Sequence, residues 1–260
     1  MKITEALLDT LTTDAVVRGM RSNPSWIAVW SRYCGLASTL AAAEYEQDGI
    51  AVSDPGRFIG RSARELAALA RSERLVEASV GMAALNSLLE VDESRCRELN
   101  AHDLLFERGA GKTVVLVGHF PFVPELREIA GHLSVLELRP QAGDLPADEA
   151  QRLIPDAEVV AITGTAFLNH TIEQLLGYCH PEALVVVLGP TTPLSPVLFD
   201  FGVDAVSGVR VVDPELVLEQ VAAGAGFRQI RGVRLLTMER RGQAPSAFVT
   251  SPMFSAPADR

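Results

Sequence analysis

ALVVVLGPTTPLSPVLFDFGVDAVSGVRVVDPE, residues 183–215, decides the fold class. Its first seven residues form a continuous apolar run rather than an alternating one. A strand of that kind is covered on both faces. Gly189 and Pro190 end the run, and the turn-rich PTTP leads into a helical pattern over 194–201. A weaker strand follows within 204–212. Asp213 then caps a helix over 214–223, with Pro214 in its first turn and Glu215 near its positive end. Strand, helix, strand, helix in this order gives a parallel sheet with right-handed crossovers.

The same alternation extends upstream. TVVLVG (113–118), LSVLEL (133–138) and EVVAIT (158–163) read as strands, and 122–131, 146–153 and 168–178 read as helices. VRLLTME (233–239) is a further strand closing an edge. The expected class is α/β, a Rossmann-like, mostly parallel sheet with helices on both faces. Two strand orders, 3-2-1-4-5 and 2-1-3-4-5, remain open. The first puts the first and fourth loops at the switch point, and the second puts the first and third there.

The N-terminal third differs. Residues 3–13 can form an amphipathic helix. Residues 14–40 carry breaks at Gly19, Asn23-Pro24 and Cys34-Gly35 and read as short antiparallel strands. SARELAALARS (62–72) places Leu66, Leu69 and Ala70 on one helical face, with Ser62 and Glu65 as a capping box. RLVEASVGMAALNSLLE (74–90) is a longer helix. We therefore expect an α+β domain over 1–108, the parallel-sheet domain over 109–240, and a loosely ordered tail over 241–260.

The chain has 260 residues, 48% hydrophobic and 22% charged, with net charge −10. The acidic balance argues against a nucleic-acid partner, which needs a basic face. No apolar run has membrane-spanning length. The N-terminus places acids and threonines where a signal peptide needs an apolar core. Cys34, Cys96 and Cys179 are too scattered for a disulfide framework or a zinc-type pair. A cytoplasmic protein is expected.

In an open α/β sheet, ligands bind beyond the carboxyl ends of the strands. The candidate ligand residues are therefore Gly118, Phe120 and Pro121 after the first strand and Glu137 at the end of the second. Thr163, Gly164, Thr165 and Asn169 follow the third, and Gly189, Pro190, Thr191, Thr192 and Ser195 follow the fourth. Such residues also serve ordinary turns and caps. His119 is the candidate general acid or base, and His119 with His170 are the candidate metal ligands. Glu137 stands 19 positions after Gly118, the spacing of a ribose-binding acid. However, GHFPFV lacks the G-x-G-x-x-G glycines that let a backbone approach a pyrophosphate. S-adenosylmethionine or another nucleoside ligand stays open behind a metal ion. GAGKT (109–113) is no P-loop, because Phe106 stands where its first glycine belongs and the segment precedes a strand. Ser195 lacks a G-x-S-x-G elbow. Tyr33, Cys34, Glu44 and Asn86 are the polar residues nearest apolar segments in the first domain. Asn86 reads either as a helix-to-strand tether or as a contact to the inter-domain cleft.

VVLVGHFPF, TGTAFLNHTIEQLL and VVVLGPTTPLSPVLFDFGVDAVSGVRVVDPE together resemble the Rossmann-like domain of the heavy-metal-chelation family. CGLAST (34–39), GRSARELAALARS (60–72) and EASVGMAALNSLL (77–89) resemble that family's usual partner, a domain like the N-terminal domain of enolase. Ala166 stands where family members commonly carry threonine. The resemblance implies a cleft between the two domains, a metal ion or metal-bearing small molecule as ligand, and a homodimer. An enzyme of small-molecule or natural-product metabolism using the same cleft is the alternative.

Overall fold

A computed structural model describes residues 1–39 and 55–240. Glu44 and the tail over 241–260 lie outside the described residues.

The N-terminal unit comprises α1 (Lys2–Asp9), β1 (Gly19–Ser22), β2 (Trp26–Trp30), β3 (Cys34–Ser38), α2 (Ala63–Ala67) and α3 (Leu75–Leu88). The three strands form an antiparallel sheet in sequence order. Asn23 turns the chain between β1 and β2, its Oδ1 accepting from the N–H groups of Ser25 and Trp26. Such Asx turns are what short amide side chains do at strand ends. Ser62 Oγ accepts from Glu65 N–H at 3.0 Å and starts α2. α3 is buried almost all round, as befits a helix enclosed between β3 and α2. Two glycines permit that enclosure. A Cβ on Gly35 would lie 2.2 Å from Ala83 O, and one on Gly81 would lie 1.9 Å from Ala70 N.

The larger unit contains β4 (Cys96–Glu98), α4 (Ala101–Gly109), β5 (Thr113–Val117), α5 (Val123–Ile129), β6 (His132–Glu137), β7 (Leu145–Pro146) and α6 (Ala150–Leu153). It continues with β8 (Val159–Thr163), α7 (Ile172–Tyr178), β9 (Leu184–Leu188), β10 (Ala205–Val211), α8 (Pro214–Ala222) and β11 (Val233–Glu239). Asp213 Oδ1 accepts from Leu216 N–H and caps α8 as its position suggests. The segment Pro196–Phe201 forms a 3-10 helix, closed by Gly202 at φ +88.

The sheet order is β4-β11-β10-β9-β8-β5-β6-β7. All pairings are parallel except those of β11 with β10 and β4. For the five strands read from the sequence this is 2-1-3-4-5, so the switch point lies between β5 and β8. β11 is not the edge, because β4 pairs outside it through Cys96↔Met238. The polar stretch before Lys112 is thus built into the large sheet from Cys96 onward.

Side chains alternate between two cores. Val114, Leu116, Val186 and Leu188 face α4 and α5, meeting Leu104, Leu105, Val123 and Leu126. Val115, Val160, Ile162, Val185 and Val187 face the other way, in one cluster with Ile3, Leu7, Leu85 and Phe167. The N-terminal helices and the large sheet therefore share a continuous core. Polar tethers reinforce the seam. Asn23 Nδ2 donates to Val221 O at 3.0 Å, and Ile3 N–H donates to Glu173 Oε1 at 2.9 Å.

Candidate ligand site at the strand ends

Gly118 ends β5 at the switch point with φ +99. That conformation suits glycine alone, and a Cβ there would also meet Thr163 Cβ at 2.9 Å. The turn brings the next two residues to opposite sides. Phe120 leans back over Gly118 and Gly189, its ring within about 4 Å of where their Cβ atoms would be. His119 turns toward the β6 side.

His119 is held twice. Its N–H donates to Glu137 Oε1 at 3.0 Å. Its Nδ1 lies 3.0 and 2.9 Å from the two carboxylate oxygens of Asp144. Asp144 is buried, with 1% of its side chain exposed, while His119 keeps 26%. A carboxylate only accepts, so Nδ1 carries the proton. In the neutral ring Nε2 then carries the lone pair, and it makes no hydrogen bond among the described residues. A carboxylate behind a histidine fixes the tautomer and ring orientation of a metal ligand or general base. Gln141 N–H donates to Asp144 Oδ2 at 3.0 Å and anchors the pair from behind. Nothing in the sequence singles out Asp144, because no spacing rule links it to His119. Only the adjacency of β5 and β6 brings them together.

Glu137 is engaged by the backbone, accepting from His119 N–H and from Leu138 N–H at 2.7 Å. Most of the loop hydroxyls and amides are engaged in the same manner. Thr163 Oγ1 accepts from Thr165 N–H and lies 3.0 Å from Thr165 Oγ1. Asn169 Oδ1 accepts from Thr171 Oγ1 at 2.8 Å. Ser195 caps the turn that follows it through Val197 N–H. Thr191 joins the two units: its Oγ1 accepts from Ser38 N–H at 2.9 Å, and its carbonyl accepts from Asn86 Nδ2 at 3.1 Å. Asn86 Nδ2 also donates to Leu36 O at 3.1 Å. Asn86 is therefore a helix-to-strand tether and a bridge to the fourth-strand loop at once. His170 adopts φ +58 and lies with Nε2 2.9 Å from Ser72 O. The buried atoms left without a partner here are Asn86 Oδ1, Thr192 Oγ1 and His170 Nδ1. Gly164 packs against Thr192, whose Oγ1 would lie 2.5 Å from an added Cβ.

A cavity of about 660 Å³ opens on the α4 and α5 face, opposite α1–α3. Phe120, Pro121, Gly189 and Pro190 line it from the strand ends. His119 and the threonines are absent from its lining.

Soft metals select thiolates, and the three cysteines are poorly suited to supply them. Burial pushes the Cys34 thiol up to about 12 and Cys179 up to about 11. Burial and the nearby Glu93 and Asp92 raise Cys96 as well. Among the described residues no group of three or more His, Cys, Asp or Glu side chains could hold a metal ion. A bare ion caged by protein side chains does not fit this donor set. One histidine nitrogen backed by a carboxylate does fit a metal that brings its own ligands.

The architecture is that of a Rossmann-like α/β protein with a small antiparallel unit on one face, its histidine poised at the switch point. The DUF364 model, described as "Putative heavy-metal chelation", matches residues 100–238, and a second model with the same description, DUF4213, matches residues 4–89. The chain belongs to the DUF364 family. It is 28% identical over 189 residues to an uncharacterized protein of Methanocaldococcus jannaschii, covering 70% of this chain and 73% of that one. A DUF364-family crystal structure from Desulfitobacterium hafniense superposes with TM-score 0.80 at 25% identity, covering 92% of this chain and 98% of that one. A second, from Pyrococcus horikoshii, has the same fold with TM-score 0.75 at 20% identity and the same coverages. Among the described residues no helix is long and apolar enough to cross a membrane.

Proposed function

We propose that the protein binds a metal ion already wrapped by a small organic chelator, at the carboxyl ends of β5 and β6. His119 Nε2 is the one protein ligand to the metal. The observation that carries this reading is the His119–Asp144 pair. It offers an oriented lone pair, and among the described residues no group of three or more ligating side chains surrounds it. A site so built leaves most coordination positions to the cargo. Asp144 fixes the tautomer of the ring and holds Nε2 in place. The family description, with its heavy-metal chelation, agrees with a metal-bearing ligand. The same nitrogen would serve as general base if the cargo is also transformed. The free cysteines Cys34, Cys96 and Cys179 suit a reducing, cytoplasmic setting.

Calorimetric titration with Ni(II)–nitrilotriacetate tests the reading, because this chelate leaves positions open for an imidazole. One site is expected, weakened at least tenfold in His119→Ala. Equal binding to the two proteins would overturn it.

A further inference from the structure

The cavity on the α4 and α5 face is not the His119 site, and its chemistry is different. One wall is aromatic. Phe120 and Phe122 stack with centroids 5.2 Å apart at 21°, and His102 meets Phe122 edge-on at 5.6 Å. His102 is itself backed by Phe106 at 4.0 Å. Leu235, Val209 and Ile230 add aliphatic surface. The mouth carries Arg228 and Arg231, with Glu125 as the single acidic side chain of the lining. Arg231 Nη1 donates to Arg228 O at 3.2 Å, and among the described residues neither guanidinium meets a carboxylate. In a chain of net charge −10, two unpaired arginines at one apolar mouth are a local reversal of sign.

The geometry points to a second ligand site in this cavity, for a planar aromatic ring carrying an anionic group, of mononucleotide size. A volume of about 660 Å³ lies within the range of small-molecule sites. The aromatic wall offers its π surface to a ring, and the arginines take a phosphate or carboxylate as a bidentate fork. The same arginines disfavour a cationic ligand, so the site selects against a sulfonium-bearing nucleoside. Placement at the carboxyl end of β9 and along the middle of β10, beside Gly189 and Gly208, lets backbone approach the ligand closely.

Flavin mononucleotide and riboflavin test this directly, since they share a ring and differ by the phosphate. A flavin held in the cavity tumbles with the protein, so its emission becomes polarised. A rise in emission anisotropy with the full chain is expected for the mononucleotide, with riboflavin at least tenfold weaker. Arg228→Ala with Arg231→Ala should bring the mononucleotide down to riboflavin's level, and AMP should displace it from the unaltered protein. Both arginines are exposed, so the double variant keeps its fold, as a matching thermal melt would verify. No rise in anisotropy with the mononucleotide at the highest protein concentration, equal binding of the two flavins, or an unaffected double variant would each overturn the assignment.

Discussion

Asp144→Asn isolates the role of the carboxylate behind His119. The substitution keeps the shape of a side chain that is 1% exposed and removes only its charge and half of its acceptors. Asp144 now accepts from both His119 Nδ1 and Gln141 N–H. An asparagine with its oxygen in the Oδ2 place can still accept from both donors, but its NH2 then occupies the Oδ1 place, 3.0 Å from the Nδ1–H it would repel. The lost charge-assisted bond is worth about 1.5–3 kcal/mol. Loss of an outer-shell partner typically costs 10–100-fold in metal affinity, or about 1.4–2.7 kcal/mol, so the two estimates agree. Titration of Ni(II)–nitrilotriacetate into Asp144→Asn should show affinity reduced 10–100-fold, with stability lowered by about 1–3 kcal/mol in urea. Affinity within twofold of the unaltered protein, in a folded variant, would refute the orienting role. His119→Ala provides the floor against which the loss is read.

Further outcomes follow from the packing and the charges. Asn86→Ala should cost about 1–2 kcal/mol in chemical denaturation, because two hydrogen bonds are lost while an unpartnered Oδ1 is relieved. Asn86→Asp should cost more than Asn86→Ala, since it sets a carboxylate against two carbonyls in a half-buried place. Gly81→Ala should destabilise by about 1–3 kcal/mol or more, because its methyl group would enter the backbone at Ala70; an unchanged melting temperature would contradict the close packing. The Cys34 thiol is raised by burial from 9.0 to about 12. A raised folded value means that stability is fully present below pH 9 and is lost as pH rises toward 12. Cys34→Ser or Cys34→Ala should flatten that alkaline loss, and the native thiol should resist Ellman's reagent at pH 8.

The parallel sheet was legible because its strands are continuous apolar runs with capped helices between them. The order was not, since both orders bury the same residues on both faces. Register and adjacency come from long-range packing, which no local pattern encodes. β4 escaped for a related reason: three residues, Cys96–Glu98, are too few for a periodicity, and their partner β11 lies far along the chain. The loops were legible as a group of polar turns. Their individual roles were not. Thr191 and Thr163 carry the same side chain, yet one ties the two units together and the other caps a turn. His170 sits in a βα loop as expected, but its left-handed backbone sends Nε2 to Ser72 O. His119 stood out at a strand end, whereas Asp144 acquires its meaning only when β6 lies beside β5.

Pulsed electron paramagnetic resonance of the Cu(II)–nitrilotriacetate complex bound to the protein identifies the coordinating side chain, because the remote nitrogen of a coordinated imidazole leaves its own modulation. The modulation of a single imidazole is expected in the unaltered protein and should disappear in His119→Ala. No imidazole modulation, or a signal that persists unchanged without His119, would contradict coordination by His119.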